Sequence, residues 1–239
     1  MKHALVTGGS GGIGAAICRR LAADGYHVLI HANRHLPTAQ SVADEIAENG
    51  GSAQVLQFDV TDHQAVVDTL TPLIESTPIQ VLVNNAGIHD DAVFPGMRVE
   101  QWQRVMDVSV NGFYHVTHTL MMPMIRSRWG RIINVSSIAA ITGNRGQVNY
   151  SAAKGALNAA TKALAQEVAS RGITVNAVAP GIIDTEMSKS TFSTEDIARM
   201  VPMKRAGKPD EVADLIGFLA SPQAAYITGQ IISINGGVI

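Results

Sequence analysis

Tyr150 and Lys154 stand four residues apart in the stretch Asn149-Tyr150-Ser151-Ala152-Ala153-Lys154, with Ser137 thirteen residues upstream. On a helix, residues i and i+4 share a face. A phenol titrates near ~10 and a lysine ammonium near ~10.4, so a lysine cation beside the phenol would favour the phenolate. Such a pair can give a proton to a developing alkoxide or take one from an alcohol. A serine hydroxyl aimed at the same oxygen would add a hydrogen bond. The spacing alone also describes a tyrosine packed on a helix beside a solvated lysine, so the surrounding elements must decide.

Those elements alternate. His3 to Thr7 reads as a short apolar strand, followed by the turn Gly8-Gly9-Ser10-Gly11-Gly12 and a helix from Ile13 to Ala23. The pattern is Thr7-Gly8-x-x-x-Gly12-Ile13-Gly14. Glycines between a strand and a helix let the backbone approach a pyrophosphate, and the helix N-terminus offers N–H groups to the anion. A second strand, Tyr26 to Ala32, ends in Asn33-Arg34-His35 with no acid. An acid there would suit the ribose 2′-hydroxyl of NAD, whereas Arg34 can pair with the 2′-phosphate of NADP. Further along come a helix from Pro37 to Asn49 and a strand from Ala53 to Phe58 that ends in Asp59-Val60, with Asp59 a candidate for the adenine amino group. Asp62 can cap the next helix. The strand Ile79 to Val83 runs into Asn84-Asn85-Ala86-Gly87, small and amide residues suited to a backbone passing close to a ligand.

Residues 88 to 98 read as a loop, and Glu100 to Trp129 as a long helical region kinked at Pro123. Asn111 lies inside it, where asparagine competes for backbone bonds and can distort the helix to free a carbonyl for a water. His115 and His118 have i, i+3 spacing, but no carboxylate or cysteine pattern completes a metal site. Gly130 to Ser137 is a strand, Val148 to Ser170 the helix of Tyr150 and Lys154, and Ile173 to Ala179 a strand ending in Pro180-Gly181-Ile182-Ile183-Asp184-Thr185. Met187 to Met203 reads as a polar helical lid, Pro209 to Ala220 as a helix, and Gln230 to Ile234 as the last strand. About seven strands alternating with about six helices predict a doubly wound α/β Rossmann fold, a parallel sheet flanked by helices. With no linker, repeat or charge run, residues 1–239 read as one domain.

Composition excludes several classes. A net charge of −2 without like-charge blocks argues against a nucleic-acid surface or a polybasic membrane patch. The single cysteine, Cys18, excludes an intramolecular disulfide. No apolar run reaches a membrane span of ~18–20 residues, and the apolar stretch after Met1 is too short for a signal peptide. The expectation is a soluble cytoplasmic protein.

In this order the motifs resemble the short-chain dehydrogenase/reductase family, over nearly all of the chain. The resemblance is carried by Thr7-Gly8-x-x-x-Gly12-Ile13-Gly14, Asn84-Asn85-Ala86-Gly87, Asn111, Ser137, Tyr150-x-x-x-Lys154 and Pro180-Gly181. Within it, the chain is most similar to β-ketoacyl-(acyl-carrier-protein) reductases through Gly143 to Tyr150, Ala169 to Asn176 and Ala225 to Gln230. The resemblance implies catalysis by Asn111, Ser137, Tyr150 and Lys154, with Asn111 holding a water that links Lys154 to solvent. It implies a dinucleotide, NADPH/NADP before NAD, held by Gly8, Ser10, Gly11, Gly12, Ile13, Gly14, Asn33, Arg34, Asp59, Val60, Asn84, Ala86, Gly87, Tyr150, Lys154, Pro180, Gly181, Ile183 and Thr185. Ser137 and Gln147 would meet the substrate, Arg128 and Arg171 would dock an acidic acyl carrier protein, and the assembly would be a homotetramer. Two departures stand out. Gly11 replaces a residue that is commonly basic, and Asp90 in Ile88-His89-Asp90-Asp91 replaces a basic one, which would suit polyketide-like or aryl-polyene acyl chains. The alternatives are a dehydrogenase of a free secondary alcohol, sugar or steroid, and a dinucleotide sensor without turnover.

Overall fold

The computed structural model describes residues 1–186 and 193–239. Seven strands form one sheet in the order β3-β2-β1-β4-β5-β6-β7, and every pairing is parallel. They are β1 His3–Val6, β2 His27–Ala32, β3 Ser52–Gln57, β4 Ile79–Asn84, β5 Gly130–Val135, β6 Ile173–Pro180 and β7 Ile231–Ile234. The helices are α1 Gly12–Ala23, α2 Leu36–Glu48, α3 His63–Ser76, α4 Val99–Met106, α5 Gly112–Ser127, α6 Ala139–Thr142, α7 Val148–Val168, α8 Thr194–Met200 and α9 Pro209–Ala220.

Alternation along the strands builds two cores. Ala4, Val6, Val28 and Ile30 face the layer of α1, α2 and α9, while Leu5, Leu29 and Leu82 face α3, α5 and α7. Burial on both faces explains why the strands are nearly continuous apolar runs. Caps set the boundaries: Asp62 accepts the Ala65 N–H at 3.0 Å to start α3, and Gly172, at φ +74°, takes the left-handed turn before β6.

The long helical region is divided. A π turn, Asp107–Asn111, separates α4 from α5, and α5 continues through Pro123 as one helix. The expected distortion therefore falls at Asn111. Ser137 lies two residues past β5. The expected lid falls partly outside the described residues at 187–192; its described part is α8, capped by the Ser193 hydroxyl on the Asp196 N–H at 3.1 Å. Among the described residues, no helix is long and apolar enough to cross a membrane.

Strand order reverses between β1 and β4, and in open α/β sheets the crevice at such a switch point, at the carboxyl ends of the strands, is the ligand site.

Candidate active site

The crevice is welded together by Thr7 and Asn85, motif residues whose role the sequence did not reveal. Asn85 Nδ2 donates to the carbonyls of Thr7 and Gly8 at 2.9 and 3.0 Å, and the N–H groups of Asn85 and Ala86 donate to Thr7 Oγ1 at 3.0 Å. The turns after β1 and β4 thus form one unit. Gly8 has φ +64°, and a Cβ on Gly14 would run into the Gly8 carbonyl oxygen. Gly11 and Gly12 are exposed at the start of α1, and Thr185 lies beside Gly12. His31, buried under the turn, accepts the Gly8 N–H on Nδ1 at 3.0 Å and meets the Phe58 carbonyl through Nε2 at 2.9 Å. Burial lowers its pKa, which keeps Nδ1 an acceptor.

Asp59, Asn33 and Arg34 gather at the ends of β2 and β3. The Asp59 carboxyl is held below its ordinary value: burial opposes this, but hydrogen bonds from the Thr61 N–H and hydroxyl and from Asn33, with the Arg34 charge, outweigh it. Val60 is buried behind, its carbonyl bonded to His115 Nδ1 at 2.9 Å. Exposed glycines at a helix N-terminus, with a cation and a carboxylate further along the same edge, fit a pyrophosphate and an adenosine. The residues present therefore suit a dinucleotide.

At the other end of the crevice, Ser137 and Tyr150 share a hydrogen bond, and Ser137 Oγ also accepts the Ala139 N–H at 3.2 Å. Asn149, fully buried, positions the start of α7: its Nδ2 donates to Asp90 O and Gln101 O, and its Oδ1 accepts the Tyr150 N–H at 2.8 Å. Lys154 is 3% exposed, donates to Val135 O at 2.8 Å, and lies 5.8 Å from the Tyr150 ring centroid. Burial pulls its pKa down from 10.5 to about 8.

The tyrosine departs from the expectation of a lysine-stabilised phenolate. Burial raises the phenol above its ordinary value, the Ser137 bond lowers it, and the Asp91 charge raises it. The Lys154 ammonium bonds the Val135 carbonyl and stands over the ring rather than at the phenol oxygen, and burial outweighs the groups that would lower the phenol.

The other expected residues differ in what they touch. Asn84 is buried and its amide is committed to Thr117 and Asn134 at 3.0 and 2.9 Å, so its side chain serves the sheet–α5 layer. Pro180 ends β6, with its carbonyl bonded by the Ile138 N–H at 2.9 Å, and Gly181 donates to Ile234 O at 2.9 Å. Ile183 is buried near Gly207, and Gly87 lies against Lys154. Gln147 is at the mouth, donating to Asp91 at 2.9 Å. Asn111 closes the π turn: its side chain is exposed, and its amide donates to Asp107 at 2.7 Å. Asp90 is also internal. Gln101 bonds its carboxylate at 2.7 Å and Arg104 pairs with it at 3.4 Å, so the acid is committed to α4 and argues nothing about the acyl chain.

Arg128 and Arg171 are exposed at the opposite sheet edge, before β5 and β6. Arg171 is the length of α7 from Tyr150, ~30 Å at 1.5 Å per residue. Arg128 is on the order of 25–30 Å from Ser137 along β5.

A doubly wound sheet with a glycine turn and a Ser/Tyr/Lys group at the switch point has the make-up of a dinucleotide-dependent oxidoreductase. The chain belongs to the short-chain dehydrogenase family, whose model matches residues 2–196. It is 45% identical over 236 residues to the 3-oxoacyl-[acyl-carrier-protein] reductase FabG of Aggregatibacter actinomycetemcomitans, covering 98% of each chain. It is 45% identical over 240 residues to an acetoacetyl-CoA reductase of Rhizobium meliloti, covering 99% of this chain and 98% of the other. It is 41% identical over 243 residues to nodulation protein G of Azospirillum brasilense, again covering 99% and 98%.

Proposed function

We propose that the protein reduces a 3-oxoacyl thioester, carried on an acyl carrier protein, to the 3-hydroxyacyl thioester with NADPH. The observation that carries the reading is Tyr150, a phenol kept protonated by burial and bonded to Ser137. A donor in that state suits ketone reduction at neutral pH, because it begins with the proton the product needs. The thioester follows from the names of the relatives, which share a 3-oxoacyl thioester substrate and divide between carrier-protein and coenzyme A forms. Arg34, beside Asp59 at the end of β2, supports the phosphorylated dinucleotide.

Gly8 to Gly14 would hold the pyrophosphate, and Asn33, Arg34 and Asp59 the adenosine end. When bound, the dinucleotide supplies the reducing equivalent. Ser137 and Tyr150 donate to the ketone oxygen and orient it. Tyr150 gives its proton to the oxygen as charge develops there. Lys154 returns a proton to the phenolate. Gln147 and Asp91, bonded to each other, form the rim of the mouth.

Arg128 and Arg171 are too far from Tyr150 to steer a carrier to the site of their own chain. Their docking role requires a second copy that brings them to a neighbour's mouth, which accords with a homotetramer and makes the carrier's footprint span two protomers.

The test is oxidation of NADPH and of NADH with acetoacetyl-CoA and with a 3-oxoacyl carrier protein. Faster turnover with NADPH and the carrier-bound substrate is expected. Turnover of neither thioester would overturn the reading and direct attention to free alcohols.

A further inference from the structure

Three hydrogen bonds stitch the loop after β4 to the loop that leads into α7. Asn149 Nδ2 donates to Asp90 O, Gln147 Nε2 to Asp91 Oδ2, and the Ala92 N–H to Gly146 O, each at 2.9 Å. Asn144 Nδ2 braces Gln147 from the other side by donating to its Oε1, also at 2.9 Å. This side of the mouth is therefore a fixed wall, with Asp91 on it. The second oxygen of the Asp91 carboxylate, Oδ1, faces His89 Nδ1 at 3.2 Å, and the side chain is 42% exposed.

The wall stands close to the chemistry. Gln147 accepts the Ser151 N–H on its carbonyl at 2.7 Å, in the first turn of α7. It precedes Tyr150 by three residues, a rise of ~4.5 Å. The Asp91 charge reaches the phenol and helps it keep its proton. The neighbouring acid differs, because Asp90 is paired with Arg104 at 3.4 Å. Gln147 brings Asp91 a neutral amide, so that bond orients the carboxylate without cancelling its charge. Lys154 is buried and spends its ammonium on Val135 O.

A 3-oxoacyl chain has a single methylene between its ketone carbon and C1. With the ketone oxygen at Ser137 and Tyr150, whatever C1 carries stays near the start of α7. A thioester puts a neutral group there, and a free 3-oxo acid puts a carboxylate there. Like charges repel across a partly dry mouth, and repulsion of the wrong substrate discriminates as well as attraction of the right one. We propose that Asp91 is a specificity-determining residue: held in the rim by Gln147, its carboxylate repels substrates with a free carboxylate at C1 and so selects the neutral thioester over the 3-oxo acid. The inference rests on the reductase reading.

The experiment compares ethyl acetoacetate with acetoacetate, which share the ketone and differ in charge at C1, as substrates with NADPH. In the parent, kcat/KM should favour the ester. In Asp91→Asn, which keeps an oxygen for Gln147, that preference should fall about tenfold. It should fall through a gain on acetoacetate, which a merely damaged site would not give. Asp91→Glu, which restores the charge, should restore the preference. Arg145→Ala removes an exposed cation two residues before Gln147 and should leave the preference within about twofold. A readout without turnover is the ultraviolet titration of the phenol, taken as the difference from Tyr150→Phe, which should begin at lower pH in the Asp91→Asn background. An unchanged preference in Asp91→Asn, or one that Arg145→Ala shifts in its place, would overturn the inference. If the parent reduced neither acetoacetyl-CoA nor the ester, the reductase reading would fail, and an unmoved titration would then remove Asp91 from the site as well.

Discussion

At the N-terminal edge of the sheet, Trp129 lies between Lys2 Nζ, 3.8 Å from its ring centroid, and the Arg131 guanidinium, at 4.4 Å. Arg131 is 3% exposed and bonded to Gly130 O at 2.8 Å, and Tyr26 donates to Ala220 O at 2.9 Å. His27 meets Ser52 Oγ at 2.7 Å. At the C-terminal edge the arrangement is the reverse. Among the described residues, the buried side-chain atoms without partners are Asn84 Oδ1, Ser109 Oγ, Ser151 Oγ, Asn158 Oδ1 and Asn235 Nδ2. Asn84 ends β4, Asn235 follows β7, Ser151 and Asn158 lie on the helix of Lys154, and Ser109 is in the π turn packed against it. The contrast teaches that similar chemical groups serve closure or chemistry according to whether their hydrogen-bonding capacity is already committed. Arg131 is buried with backbone acceptors and stabilises; Lys154 is equally buried, but burial brings it to about 8, where it can exchange a proton near neutral pH.

The largest expected effect breaks the comparison at the C-terminal edge. Tyr150→Phe should cost about 10³-fold or more in turnover while dinucleotide affinity changes little, as read by steady-state kinetics and fluorescence titration. Its counterpart at the opposite edge is Trp129→Ala. That change should lower stability by about 2–3 kcal/mol in urea unfolding, through lost packing and two cation–π contacts, with kcat preserved. A kcat loss there would show that the edges are coupled. The pH profile sharpens the contrast further. Lys154 is charged below about 8 and neutral above it, so ketone reduction should hold steady toward pH 8 and decline beyond it. A plateau continuing to pH 10 would remove Lys154 from proton supply. The smallest effect tests the proposed docking of a carrier across two copies. Reversing charge in Arg128→Glu with Arg171→Glu should raise KM for a carrier-bound substrate about tenfold and leave that for the coenzyme A thioester unchanged.

The strands were legible because each is a short apolar run set between helices, and the glycine turn because it stands between a strand and a helix. Ser137, Tyr150 and Lys154 were legible because a strand end and an i, i+4 pair converge by local geometry. The roles of Asn85, Thr7 and Asn149 were not legible because their partners include residues far away in sequence. Around Asn111 the pattern gave out for a definite reason. Each residue advances ~100° around a helix, and one inserted residue in a π turn rotates all that follow. The face of Asn111 and of Ser109 was therefore unreadable from periodicity.

What the sequence determined by itself was the alternation of elements, the parallel doubly wound sheet and the residue types that meet at its carboxyl edge, because these follow from local pattern and short spacing. Only the tertiary structure decided where Asn111, Ser109, Asp90, Arg128 and Arg171 point or lie. It also decided that Tyr150 is held protonated and Lys154 drawn toward neutrality. Those outcomes depend on burial and on partners distant in the chain, which desolvate or engage a group only once the layers have packed.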